Sequence, residues 1–159
     1  MLEICGGYQM FGRIMADPDG IERPPGEVPG LGLPDITTVM APEKRLARVA
    51  ALNPPSGTDP DGYEIHLGRT IGPDTVRGWL RIDGRDVGAA SPDGRIRGCY
   101  LHGLSASDAF RRADLSDLGV APTDFAHETQ VDATLDALAD HMTESLNLDR
   151  LLDISTRLP

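Results

Sequence analysis

Aromatic residues are scarce in this chain: one Trp, 3 Tyr and 3 Phe make up 4% of its 159 residues. So few large rings, beside 18 Gly and 13 Pro, argue against an all-β sandwich and for a loop-rich α/β protein with a core of Ala, Leu and Val. Positive charge is scarce too. Against 25 Asp and Glu there are 15 Lys and Arg, a formal charge of -10, which repels nucleic acid and anionic membrane surfaces and excludes both as expected partners. No apolar run approaches the ~20 residues that cross a bilayer. The opening MLEICGGYQMFG has neither the basic start nor the long apolar stretch of a secretory or transit signal, so a cytoplasmic setting is expected. Cysteine is limited to Cys5 and Cys99. In a reducing compartment two cysteines read as free thiols rather than a staple.

With 40% hydrophobic residues, a chain of this length buries one core. Leu2 to Ile4 read as the stub of a buried strand, and Gly7 to Met15 carry apolar residues at helical spacing, which puts Cys5 on a sharp strand-to-helix junction. Asp17 to Pro34 is dense in turn formers and reads as a loop. A strand is predicted at Ile36 to Met40. Arg45 to Leu52 is a strand or a short helix, and Tyr63 to Thr70 alternates like a half-buried strand. WLRI, DVGAAS and RIRGCYL, separated by DGR and SPDGR, read as an antiparallel meander. Helices are predicted over Ser107 to Leu118, with Gly119 just beyond, and over Asp132 to Leu146.

The chemistry that this layout permits centres on two residues. A thiolate is stabilised at a helix N-terminus by backbone N–H groups and the helix dipole, which is the setting of Cys5. Gly6 and Gly7 leave room for the turn, and the Gly6 N–H is placed to hold an oxyanion. His102, in GCYLHG, follows a predicted strand. At a strand end an imidazole can take the proton of a thiol and return it to a leaving amine. Cys99 sits inside a predicted strand with no turn to activate it and reads as a small buried hydrophobe. No paired C-x-x-C or H-x-x-x-H supports a metal site.

ICGGYQMFG at the nucleophile turn, DPDGIE, GLGLPDITTVM, GYEIHLGRT, GCYLHGLSASDAFRRADLSDLG and the closing TLDALADHMTESLNLDRLL together resemble the CobB/CobQ-like class I glutamine amidotransferases, in the cobyric acid synthase branch. The resemblance implies a flavodoxin-like domain with a central sheet and flanking helices. It also implies that Cys5 attacks the side-chain amide of glutamine while His102 moves the protons, that Gln9 contacts the bound glutamine beside Gly6 and Gly7, and that the ammonia amidates carboxylates of a corrinoid substrate. Residues 1–159 would then be part of the amidotransferase domain. The earlier strands and an ATP-binding synthase domain, where ATP and Mg are expected, would lie outside it, since no G-x-x-x-x-G-K-[ST] is present.

Two positions depart from the family pattern. The family turn is G-x-C-G-G, yet Glu3 occupies the first glycine position, where its charge opposes thiolate formation. Leu104 stands where many class I sites carry a glutamate two residues after the histidine, so a Cys–His dyad is expected. Glu64, in YEIH, is either a substitute orienter of the histidine or a structural residue of its strand, and His66 a core or surface histidine. Other open readings are a related amidotransferase acting on cobyrinic acid or a cell-wall lipid precursor, and a catalytically inactive fragment.

Overall fold

The computed structural model describes residues 1–156 and divides into two compact units, Met1–Pro122 and a helical unit from Thr123 onward. The first is a mixed α/β unit whose twelve strands form three sheets. Strand β1 (Leu2–Ile4) leads into helix α1 (Gly6–Phe11), and β2 (Ile14–Asp17), β3 (Gly26–Pro29) and β4 (Thr37–Val39) follow. Next come β5 (Arg45–Leu52), β6 (Asp61–His66), β7 (Arg69–Ile71), β8 (Leu80–Ile82) and β9 (Arg85–Val87). Strands β10 (Ala89–Ala90), β11 (Arg97–Cys99) and β12 (Leu101–His102) precede helix α2 (Asp108–Asp117).

The three-stranded sheet runs β1-β11-β10, with β1 and β11 parallel and Ile4 facing Cys99. Among the described residues β1 has β11 as its one strand partner. The five-stranded sheet, β12-β6-β5-β8-β9, is antiparallel, and the four-stranded sheet runs β3-β2-β4-β7. The main core lies on Val49, Trp79, Leu80, Ile82, Cys99, Leu101, Leu104 and Phe110. Arg97 lies over the Trp79 ring, 5.2 Å from its centroid, and pairs with Asp114 at 2.5 Å, which ties α2 to β11. Ser107 caps α2 by accepting from the Phe110 N–H at 3.3 Å, and Gly119 ends it at φ 73.

Several expectations shift. Arg45 to Leu52 is a strand, held in register with β6 from Arg45↔His66 to Ala50↔Asp61. The helix after Cys5 stops at Phe11, because Gly12 is extended and its N–H goes to the Gln9 carbonyl. Residues expected to continue it form β2, paired with β3 inside the stretch read as loop. Asp17 organises that stretch: its buried carboxylate accepts from the N–H groups of Ile21, Glu22 and Arg23 at 2.8, 2.9 and 3.2 Å. Tyr63 to Thr70 is two strands, broken at Gly68, whose φ is 83. The meander holds for β8 and β9, joined by Asp83 (φ 49) and Gly84 (φ 74) in the geometry that Asp-Gly hairpins favour. It holds again for β10 and β11, antiparallel with Ala89 facing Gly98, but this second hairpin lies in another sheet, where β11 also pairs with β1, and β12 crosses to β6.

In the second unit α3 (His127–Ser145) starts five residues ahead of expectation, and α4 (Leu148–Ser155) follows an Asn147 cap that accepts from the Arg150 N–H at 3.0 Å. Val131, Leu135, Leu138 and Met142 of α3 recur at three- to four-residue spacing on an exposed stripe.

Candidate active site

Strand β1 delivers Cys5 to the N-terminal end of α1 with φ 57 and ψ -119, a conformation that non-glycine residues hold only when the surroundings impose it. The surroundings do so from both sides. The Cys5 N–H donates to the Cys99 carbonyl at 3.0 Å, which extends the β1–β11 ladder, while the Cys5 carbonyl accepts from Gln9 at 3.1 Å as the first turn of α1. Its thiol is half-buried and directed at the Ile65 carbonyl of β6, 3.7 Å away. Gln9 lies on the same turn and reaches the same strand end, with its Nε2 donating to the Leu67 carbonyl at 3.2 Å.

The glycines around the elbow divide by role. A Cβ at Gly6 would meet nothing within 4 Å, so the space above the Gly6 N–H is open. A Cβ at Gly7 would collide with the Glu3 carboxylate, which packs against that glycine between β1 and α1. At Gly98 of β11 a Cβ would collide with the Tyr8 ring. Gly98 therefore lets Tyr8 of α1 lie flat on the strand beneath the elbow. Tyr8 is buried, meets Tyr100 edge-on with centroids 5.0 Å apart, and burial pushes its phenol pKa well up. Tyr8 and Gly98 fix the seat of the helix, and neither stands out among the sequence motifs. The one signal for them is the glycine of RGCY beside an aromatic in ICGGY.

His102 comes to the same place by another route. It ends β12, where it faces Tyr63 of β6, and Gly103 turns the chain away at φ 95. Gly62 allows β12 its close approach, since a Cβ there would collide with the His102 carbonyl. Tyr63 and Ile65 are two residues apart on β6, about 7 Å of strand. The thiol of Cys5 and the backbone of His102 thus abut neighbouring points of one strand. The Nε2 atom of His102 is buried and has no hydrogen-bond partner among the described residues, a condition that costs stability unless a substrate or a second reacting group completes it.

Glu64 faces Leu101, not His102, across the β6–β12 ladder, and its buried carboxylate accepts from Arg45 Nε at 2.8 Å. Alternation along the strand thus favours the structural reading of Glu64. His66 is half-buried and stacks on Tyr100 with centroids 4.1 Å apart. Cys99 is fully buried, and burial pushes its thiol up to about 12. Arg111 is bound to Asp108 at 2.6 Å, an ion pair within the first turn of α2.

A strand-to-helix elbow with a cysteine at its tip, room above the following glycine and a histidine on β12, which pairs with the strand that the thiol faces, is an arrangement suited to thiol-based acyl transfer. Sequence comparison agrees: residues 1–110 match the model of the CobB/CobQ-like glutamine amidotransferase domain. The chain belongs to that family. It is 52% identical over 155 residues to the cobyric acid synthase of Cereibacter sphaeroides, covering 98% of this chain and 32% of that protein. With the cobyric acid synthases of Jannaschia sp. and Bradyrhizobium diazoefficiens it shares 53% over 154 residues and 49% over 155 residues. Coverage is again 97% and 98% of this chain against 32% of each relative. The chain thus spans about a third of the length of the curated relatives it matches. No helix among the described residues is long and apolar enough to cross a membrane.

Proposed function

We propose that this chain is the glutamine-hydrolysing part of an ATP-dependent amide ligase of the cobyric acid synthase type, working in the cytoplasm in cobalamin biosynthesis. The observations that carry the reading are Cys5 held at positive φ on the elbow with its thiol facing Ile65 of β6, and the buried, unpartnered Nε2 of His102 on β12, which pairs with that same strand. In the proposed reaction His102 accepts the Cys5 proton as the sulfur bonds to the side-chain amide carbon of glutamine. The resulting oxyanion lies over the Gly6 N–H. The same imidazole then protonates the nitrogen as the C–N bond breaks, releasing ammonia and leaving a glutamyl thioester. Water, deprotonated by His102, cleaves the thioester to glutamate and restores the thiol. Gln9, anchored through Nε2 to the Leu67 carbonyl, keeps its side-chain oxygen free to accept from the ammonium group of the bound amino acid.

Ammonia then passes to a synthase domain that activates the carboxylates of a corrinoid substrate with ATP and Mg. We place that domain, and the earlier strands of a flavodoxin-like sheet, in the two thirds of the relatives' length that this chain does not match. No residues here form a phosphate loop, and no group of three His, Cys, Asp or Glu among the described residues is set to hold a metal ion. No step in this chain runs through either group.

One observation favours a second reading, a catalytically silent chain: the Glu3 carboxylate packs against Gly7, on the helix turn that starts the site. Labelling with a diazo-ketone analogue of glutamine separates the two. Covalent capture at Cys5, blocked by excess glutamine, is expected of the amidotransferase. No capture while iodoacetamide still modifies Cys5 would establish the silent chain.

A further inference from the structure

A cleft of about 450 Å³ opens in the first unit away from the groups assigned to glutamine, for neither Cys5, Gln9 nor His102 lines it. Its floor is the stacked pair of His66 and Tyr100, with Tyr8 beside them, and its rim carries Arg69 of β7 and Arg85 of β9. The volume is that of a site for a small molecule. Its charges are unevenly matched. Both acids in its wall are already engaged: Glu64 accepts from Arg45 at 2.8 Å and Asp86 from Arg81 at 2.8 Å. The guanidinium groups of Arg69 and Arg85, by contrast, enter no ion pair or hydrogen bond among the described residues, in a chain with 25 acids to 15 bases. A guanidinium presents a planar fork of donors that matches a carboxylate.

The floor is rigid as well as flat. The Tyr100 hydroxyl bonds to Thr70 Oγ1 at 2.5 Å, and Thr70 in turn to Thr38 Oγ1 at 2.9 Å, which pins the ring from the four-stranded sheet. His66 Nδ1 donates to the Gly68 carbonyl at 3.1 Å, since a carbonyl can only accept, and this holds the imidazole flat against Tyr100. An apolar body of a few carbons can lie on this surface with a charged group reaching each arginine.

We infer that this cleft binds a small organic dicarboxylate, with one carboxylate on Arg69 and the other on Arg85. The inference stands apart from the reading of Cys5, because neither arginine belongs to that machinery. Its test is calorimetric titration of the chain with glutarate, with acetate as the single-carboxylate control. Saturable 1:1 binding of glutarate is expected, at least tenfold tighter than acetate and weakened tenfold or more in both Arg69→Gln and Arg85→Gln. Arg95→Gln, an exposed change outside the cleft, should leave it unaltered. The inference is overturned by an absence of saturable glutarate binding, by equal affinity for acetate, or by equal losses in all three variants. Iodoacetamide labelling of Cys5 should stay constant across the three, which keeps this result separate from the glutaminase assignment.

Discussion

Cys5 and Cys99 occupy adjoining places on neighbouring parallel strands, the amide of one bonded to the carbonyl of the other, yet they are opposite in character. Cys99 continues a regular strand into the core, where it is fully buried and its thiol is pushed up to about 12. Cys5 ends its strand at φ 57, half-buried, with its sulfur turned to the Ile65 carbonyl of β6, the strand that His102 also pairs with. The difference comes from the next two residues in each case. Gly-Gly after Cys5 permits a helix to start at once, whereas Tyr-Leu after Cys99 carries the backbone on into β12. The contrast in setting is therefore a property of the backbone path, not of the thiol.

The largest effect should come from exchanging the two thiols' fates. On the proposed function, Cys5→Ala is expected to lower glutamine hydrolysis by on the order of 10³-fold or more. Cys99→Ser should keep glutamine use, and the opposite pattern in folded variants would reverse the assignment. His102→Ala should lower glutamine hydrolysis by about 10²- to 10⁴-fold. Gly98→Ala tests whether Cys5 depends on the seat of its helix. Forcing a methyl into the Tyr8 ring should destabilise the chain by about 1–3 kcal/mol and slow iodoacetamide labelling of Cys5, read by mass spectrometry, without touching either sulfur. Cys99→Ser should cost a similar or smaller amount in urea unfolding, about 1–3 kcal/mol for a buried hydroxyl in an apolar setting.

The smallest effect lies at Asp17. Its carboxyl is held below the ordinary range, first by the Ile21 N–H and then by those of Glu22, Arg23 and Gly20. A depressed folded-state value stabilises the chain above the unfolded carboxylate pKa of about 4 and is lost as pH falls below that point. Asp17→Asn should therefore flatten the loss of stability on acidification below about pH 4, measured by thermal melts, and leave Cys5 labelling at neutral pH unchanged.

The elbow, His102 and the burial of Cys99 were legible in the sequence because each depends on local pattern: a glycine pair after a cysteine, a histidine closing an apolar run, a cysteine inside one. Helix α2 was legible for the same reason, since Ser107 and Gly119 punctuate it. What escaped depends on pairing across distance. Strands β2 and β3 lie in a segment full of Gly and Pro, and their partners are chosen by the sheet, not by their own alternation. The break in the meander after β9 reflects the parallel pairing of β11 with a three-residue strand almost a hundred positions earlier, which draws the β10–β11 hairpin into another sheet. Glu64 could be weighed only once the ladder showed that it faces Leu101.

The positive-φ backbone at Cys5 sets nucleophile and fold in competition. A residue with a Cβ at φ 57 costs the chain of order 1–3 kcal/mol, and glycine alone escapes that penalty. Cys5→Gly should therefore leave the protein inactive but harder to unfold than Cys5→Ala. Selection for persistence alone would drift toward glycine at this position. On the proposed function, a cysteine at this position trades stability for a reactive sulfur, and the gap in melting temperature between those two variants measures how much.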